Sequence, residues 1–464
     1  MKAKEFYLGI DLGTSSVKGI LKNIDGITYK AKRTYAENTS EEWYKALRSL
    51  TKELSDKVSG NICAVCFSSQ VGTYIVNRKD VISWQSSIGR EELDYIKSLI
   101  SEEEFIKEIS MPHPDLISYP LPRFLYIQKS FGADCEVIMP KELLISELTG
   151  KTVTDIFSMR GTANLETGKY ADNIIKKLGI KIKLPEIKNP CDIAGYVTKE
   201  ASEIYSIKCG TPVYLGCNDF FAGLLGMGIS SIGDAFDLSG TSEHIGYISE
   251  NINTNSFVSG KYFIGNCTYG GTKSSGASCN FAIKNFGIND ITLDSLRSSK
   301  PPIFLPYLCG ERAPIFDENA RGVYFGISAD TESKQLAYSA LEGVVFSLYD
   351  ISLSMHAPAP KRLICGGGSA QDKLMNTLRA TLFNCEVVSV CENDTSALGA
   401  CMLGMIGEGV YKSYSDAVSS CVKYYPPIIP DTQYENILKE RFEIYKELYK
   451  NLKNTFAKFN EIQT

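Results

Sequence analysis

The sequence predicts an α/β protein of two related domains that each lend a loop to one cleft. Three observations carry that prediction. The chain opens in a β-β-(β)-α-β order, not the strict βαβ alternation of a dinucleotide-binding domain. The strand-ending turn Asp11-Leu12-Gly13-Thr14-Ser15 is answered by Asp237-Leu238-Ser239-Gly240-Thr241-Ser242, 226 residues further on and close to half of the 464-residue length. A repeat at that distance indicates two copies of one unit. Between the copies, Gly228 and Gly233 bracket Ile229-Ser230-Ser231-Ile232, a natural cut that gives domains 1–230 and 231–464.

The elements follow in order. Phe6 to Asp11 reads as an apolar strand, Gly13 to Ser16 as a small-residue turn, and Val17 to Leu21 as the returning strand. A third alternating run starts after Gly26, and helical periodicity covers Glu41 to Val58. Strands are expected at Ile62 to Phe67 and Thr73 to Val76, then mostly helix from Leu93 to Gly150 with a Pro-rich break at Met111 to Pro122. Val213 to Cys217 is a short apolar strand running into a helix at Phe220 to Gly228. In the second half, Leu336, Ala340, Val344 and Leu348 recur at four-residue spacing in a helix from about Thr331 to Ser352. Arg362 to Cys365 is a strand entering Gly366-Gly367-Gly368-Ser369, and a helix bearing Leu374, Leu378 and Leu382 follows. A last amphipathic helix carries Leu438, Phe442, Tyr445, Tyr449, Leu452 and Phe456 on one face, expected to pack on its own domain.

Composition narrows the function. With 44% hydrophobic and 22% charged residues the chain is an ordinary globular protein. Forty-nine Lys and Arg against 54 Asp and Glu give a net charge of −5, which argues against a protein that coats nucleic acid or an anionic membrane. No run approaches eighteen apolar residues, and the start lacks a signal-peptide pattern. The 14 cysteines are scattered through apolar segments, as suits free thiols in a reducing cytoplasm. Cys63 and Cys66 form a C-x-x-C, but within a strand one thiol would face each side of the sheet. The 3 histidines, His113, His244 and His356, have no metal-site spacing.

The chemistry concentrates at three glycine/hydroxyl turns on strand ends, which suit phosphate because backbone amides approach closely and hydroxyls donate. None has the P-loop spacing, and no G-x-G-x-x-G follows the first strand. Asp11 at a strand end fits either a carboxylate that holds Mg²⁺ against a nucleotide or one that closes its own turn. Asp219, between strand and helix, fits either an N-cap or a general base for a hydroxyl attacking phosphorus.

Taken together these segments resemble the FGGY family of carbohydrate kinases, over nearly the whole chain and in the family's order. Gly9-Ile10-Asp11-Leu12-Gly13-Thr14-Ser15-Ser16-Val17-Lys18 is similar to the first phosphate motif. Gly216-Cys217-Asn218-Asp219, with Ala222-Gly223 and Gly226-Met227-Gly228, is similar to the catalytic-aspartate segment. Leu238 to Ser242 resembles the second phosphate motif, and Pro306 to Pro314 with Asn319-Ala320-Arg321-Gly322 resembles a family-specific loop. Gly366 to Ser369 and Ala397-Leu398-Gly399-Ala400 resemble the adenosine motif and the helix behind it.

The resemblance implies two actin/hexokinase-like (ribonuclease H-like) ATPase domains flanking a cleft. It implies an ATP-dependent kinase acting on a ketose or polyol, with Asp219 as base and Asp11 positioning Mg²⁺. Thr14, Ser15, Lys18, Gly240 and Thr241 would serve the β- and γ-phosphates, and Gly367, Gly368 and Ser369 the α-phosphate and adenosine. Sugar-side residues would be Gln70, Trp84, Gln85 and Arg90. Here the pattern departs: Val71-Gly72-Thr73 replaces the Met-His-Gly of xylulose kinases, and Ser86 stands where W-x-D-x-R has its aspartate. Trp84 fits core or sugar platform equally. The alternatives are a sugar-binding protein that has lost catalysis and another ATPase of the same fold. A cytoplasmic location is expected from the cysteines, and family habit implies a homodimer as the oligomeric state to test.

Overall fold

The computed structural model describes residues 5–59, 61–240, 242–253, 257–287 and 300–463. Contacts divide the chain into two compact units. The first comprises Met1–Ser230, Gly260–Ile264 and Asp394–Val422, and the second Ser231–Ser259, Gly265–Asn393 and Lys423–Thr464. Relative to the simple division read from the sequence, two short segments of the second half therefore belong to the first unit.

The first unit is built on a six-stranded sheet. Its strands are β1 (Phe6–Leu12), β2 (Ser16–Lys22), β3 (Thr28–Thr34), β4 (Ile62–Ser69), β5 (Ile193–Tyr196) and β6 (Pro212–Asn218), in the order β5-β6-β4-β1-β2-β3. β1, β2 and β3 form an antiparallel meander, while β4 pairs parallel with both β1 and β6. All seven residues of β1 are buried, because the sheet is covered on both faces. On one face lies α1 (Ser40–Lys57), capped by Thr39, with Trp43, Leu47, Leu50 and Leu54 buried on its apolar stripe.

On the other face lie α2 (Asp219–Met227) and the returning helix α5 (Thr395–Gly407), the reason Asp394–Val422 joins this unit. Glycines make that packing possible. A Cβ on Gly226 would lie 1.9 Å from the Thr395 carbonyl oxygen, one on Gly399 1.8 Å from the Ala222 carbonyl oxygen, and one on Gly9 2.1 Å from that of Ala397. Gly226→Ala must force the two helices apart, and is expected to cost about 1–3 kcal/mol of stability. A urea midpoint equal to wild type would contradict this close packing.

The second unit repeats the plan. Its sheet contains β7 (Ala235–Ser239), β8 (Glu243–Ser249), β9 (Val258–Lys261), β10 (Asn266–Thr272), β11 (Arg362–Gly367) and β12 (Glu386–Ser389), in the order β9-β10-β8-β7-β11-β12. β7, β8 and β10 are antiparallel, and β7, β11 and β12 are parallel, as β1, β4 and β6 are in the first sheet. Asp237 therefore occupies in β7 the place Asp11 holds in β1, which accounts for the half-chain repeat.

Its core is organised by α3 (Ser333–Ser354), α4 (Lys373–Phe383) and α6 (Glu435–Gln463). Leu438, Phe442, Tyr445 and Phe456 of α6 are buried, so its apolar face packs on its own unit as expected. Among the described residues, α3 alone is long and apolar enough to cross a membrane, and 72% of that stretch is buried as core.

Candidate active site

In the first unit the Gly13 to Ser16 turn and Asp219 lie at the same end of the sheet. Register brings Asp11 beside Lys18 on β2 and Ser68 on β4. The Asp11 carboxylate is buried and accepts a hydrogen bond from Ser68 Oγ at 2.9 Å. Burial pushes its pKa up to about 6; Ser68 and Lys18 oppose that rise and Asp394 adds to it. Lys18 Nζ lies 3.0 Å from Asp394 Oδ1, both side chains being partly exposed. The turn between β1 and β2 is closed by the Gly13 amide on the Ser16 carbonyl, and Tyr35 donates its hydroxyl to the Gly13 carbonyl. Thr14 is half-buried and Ser15 exposed there.

Asp219 is the first residue of α2. The N-cap is Asn218, whose side chain accepts the Phe221 amide at 2.9 Å, so the capping role is filled by its neighbour. The Asp219 carboxylate, half-buried, accepts the Phe220 amide at 2.9 Å. Its pKa rises to about 7, first because of burial and then through the charge on Asp11, against the pull of the Phe220 and Val71 amides. A carboxylate tuned close to neutrality is suited to take a proton from an alcohol.

The sugar-side residues are placed unequally. Gln70 is 2% exposed, with its Nε2 donating to Asn38 Oδ1 at 3.0 Å and to the Gly13 carbonyl at 3.4 Å, and its Oε1 accepting Thr73 Oγ1 at 3.2 Å. These bonds tie it to the Gly13 to Ser16 turn. Trp84 is 43% exposed, and its indole Nε1 donates to Thr14 Oγ1 at 3.0 Å, so it is not a core residue. Gln85 is exposed beside it. Arg90 opens the next helix (Arg90–Leu99), exposed and engaged at 3.6 Å with Asp115, which it shares with Lys97. Sequence reading missed Ser68, Tyr35, Asn38 and Thr73. Of these only Ser68 had a signal, as one of the two serines that close the apolar run Ile62 to Phe67.

The second unit carries the other loops. Thr241 lies outside the described residues; Gly240 is exposed at the end of β7. Ser239 Oγ donates to the Gly366 carbonyl at 3.0 Å and accepts the Ser369 amide at 2.8 Å, tying β7 to the glycine loop. At Gly367, φ is +85° and a Cβ would lie 1.9 Å from the Ser239 carbonyl oxygen, so only glycine fits. A Cβ on Gly368 would meet nothing within 4 Å, leaving the backbone open to a ligand.

Behind this loop lies a buried ionic network. Arg379 of α4 places Nε 2.6 Å from Asp237 Oδ2 and Nη2 2.5 Å from Glu243 Oε1, all three side chains being fully buried. Arg379 Nη2 also donates to Ser369 Oγ at 2.9 Å. Burial holds the Asp237 carboxyl well above the usual range, with Glu243 adding to the rise and Arg379 opposing it.

Comparisons with known proteins match one family in both units. Residues 6–226 match the N-terminal domain of the FGGY family of carbohydrate kinases, and residues 289–408 match its C-terminal domain. The chain belongs to the FGGY family of carbohydrate kinases. The xylulose kinase of Lactococcus lactis subsp. lactis (strain IL1403) is 29% identical over 98% of this kinase and 99% of its own length. The gluconokinase of Bacillus subtilis (strain 168) is 25% identical over 99% and 98%. Among solved structures, gluconate kinase from Lactobacillus acidophilus aligns with a TM-score of 0.86 at 23% identity, covering 98% of this kinase and all of that chain. Plasmodium falciparum glycerol kinase with ADP aligns at 0.83 and 18%, over 97% and 98%. This kinase thus has the two-domain, actin/hexokinase-like sugar-kinase fold and is an ATP-dependent carbohydrate kinase. A binding protein that has lost catalysis finds no support in these relatives.

Proposed function

We propose that this kinase transfers the γ-phosphoryl group of ATP to a hydroxyl of a ketose or polyol, with Asp219 as general base. The carrying observation is the Asp219 carboxylate, half-buried at a helix start and tuned to about 7. It accepts the hydroxyl proton as that oxygen forms its bond to the γ-phosphorus; the bond to the β-bridging oxygen breaks and ADP leaves. Positioning and charge neutralisation supply most of the acceleration of such a transfer.

Asp11, Ser68 and Asp394 supply oxygen atoms, the ligands a hard cation prefers, beside the Lys18 ammonium. Among the described residues no group of three or more acidic, His or Cys side chains forms a complete cage, which suits Mg²⁺ held by one or two carboxylates together with nucleotide phosphates. In this reading Asp11 holds Mg²⁺, and the ion when bound neutralises charge developing on the phosphates. Thr14, Ser15 and Lys18 of the first unit, and Gly240, Thr241, Gly367, Gly368 and Ser369 of the second, bind ATP. The open space over Gly368 yields a prediction: Gly368→Leu fills it and abolishes ATP binding while the melting temperature stays within a degree or two of wild type. Retained nucleotide affinity in that variant would remove the glycine loop from the site.

For the sugar, the exposed Trp84 ring and Gln85 offer the contact surface, while Arg90 reaches a ligand only by releasing Asp115. The xylulose kinase relatives favour a ketose; the gluconokinase relative supports a sugar acid as the second reading. Measuring kcat/KM over ketoses, polyols and aldonates tests this. A ketose or polyol at the top supports the first reading, and an aldonate at the top replaces it. We further propose a cytoplasmic homodimer, for which light scattering on the purified protein is the check.

A further inference from the structure

The loop Pro306 to Pro314 has so far no task, yet it is held with unusual care. The Glu311 carboxylate accepts three hydrogen bonds, from Thr272 Oγ1 at 2.6 Å and from the Lys273 and Arg312 amides at 2.7 Å each. The Glu311 amide donates to the Asp317 carbonyl at 2.8 Å, the Asp317 amide returns the bond at 3.0 Å, and the Ala313 amide reaches the Gly271 carbonyl at 3.2 Å. What this fixed turn presents is Arg312. Its guanidinium is half-buried and makes no hydrogen bond or ion pair among the described residues, and its Nε is buried without a partner.

That situation is exceptional among the described arginines of the second unit. Arg379 meets two carboxylates, Arg441 grips Glu342, Arg321 donates to two carbonyls, and Arg362 lies over the Tyr424 ring. The charge that faces it is the Glu311 carboxylate, which is already taken up by three other donors, so a partly desolvated, permanently charged fork keeps its donors open for a further anion. Its position says which. Thr272, which anchors Glu311, pairs across the sheet with Glu243, the residue that opens β8 just after the Gly240 turn. Glu243 in turn accepts Ser369 Oγ at 3.4 Å. Arg312 is also close enough to His244 for its charge, after burial, to hold that imidazole down to about 4.

We propose that Arg312 binds the phosphate chain of the nucleotide, supplying the strong cation that the glycine/hydroxyl loops of this unit lack. The guanidinium donates to phosphate oxygens, and the triply bonded Glu311 fixes the turn so that no side-chain search is needed when the nucleotide arrives. This rests on the reading of Gly240 and Gly366 to Ser369 as nucleotide loops.

The test compares the β,γ-imido analogue of ATP with adenosine, each titrated against wild type, Arg312→Ala, Arg312→Lys and Gly368→Leu. Arg312→Ala is expected to lose about ten- to hundredfold in affinity for the imido analogue, with adenosine affinity unchanged. Arg312→Lys should recover part of the loss. Gly368→Leu should lose both ligands. If Arg312→Ala binds the analogue as wild type does, or loses adenosine equally, the proposal is overturned, the second outcome marking a merely structural role. Should Arg312→Ala not fold, Arg312→Lys carries the same comparison, and an analogue affinity equal to wild type with adenosine weakened would sink the idea. If Gly368→Leu keeps both ligands, the glycine-loop reading fails instead, whatever Arg312 does.

Discussion

Asp219→Asn is expected to leave a folded protein that binds ATP and sugar but turns over about 10²–10⁴-fold more slowly. The exchange keeps shape and the hydrogen bond from the Phe220 amide, and removes only the ability to take a proton. The same group sets a pH limb. Since Asp219 titrates at about 7 and Asp11 at about 6, kcat of the wild type falls as pH drops through that range, in steps that belong to the pair. In the Asn variant the residual rate should lose the step near 7 and keep only the one that belongs to Asp11.

Stability moves the other way. A carboxyl whose folded pKa lies above its unfolded value contributes stability that is complete below about 4 and lost as pH rises through about 7. The neutral amide does not suffer this loss, so Asp219→Asn should melt higher than wild type at pH 8, with the gap closing in acid. Equal kcat at all pH values would remove Asp219 from the mechanism.

Arg379→Met is expected to be the most damaging single change to the fold. It leaves Asp237 and Glu243 buried together without their cation, a loss of about 3–5 kcal/mol for a broken buried pair. The deficit should be worst at alkaline pH, where the Asp237 carboxylate must be charged, and shrink as pH falls and it takes up a proton. Urea unfolding at pH 6 and pH 9 reads both features. A midpoint within error of wild type at pH 9 would mean that the network contributes nothing. In whatever folded fraction remains, Ser369 has lost the Arg379 Nη2 donor, so nucleotide binding should weaken as well.

The parts of this molecule written in local chemistry were legible from the chain. Alternating strands, small-residue turns and the return of Asp11 as Asp237 define two hairpins of one design, and five of the six strands in each sheet repeat that design, the sixth lying on opposite edges. Asp219 stood out because a carboxylate directly after an apolar strand is conspicuous; that Asn218 takes the cap and frees it depends on one residue of helix phase, which periodicity does not resolve.

What escaped depends on distance along the chain. Gln70 looked like a sugar ligand, but its amide is consumed by Asn38, Gly13 and Thr73. Arg90 reads from the sequence as a sugar-side residue, and Asp115 engages it from beyond the next helix. Nothing in the composition near Asp394 marks the chain's return to the first unit; the signal lies in glycines 9, 226 and 399, whose meaning appears only when the backbones they admit are seen in contact. Arg379, a charge amid Leu374, Leu378 and Leu382, has its reason in Asp237 and Glu243, more than 130 residues earlier.

The most direct test of the account is phosphorus NMR of a mixture of ATP, Mg²⁺, a ketose or polyol and the kinase, run in parallel with Asp219→Asn. The account predicts a sugar phosphate signal growing in step with ADP in the wild type, both slowed by two or more orders of magnitude in the variant. ADP and inorganic phosphate appearing at the same rate in both proteins, with no phosphate ester formed from any sugar offered, would contradict it.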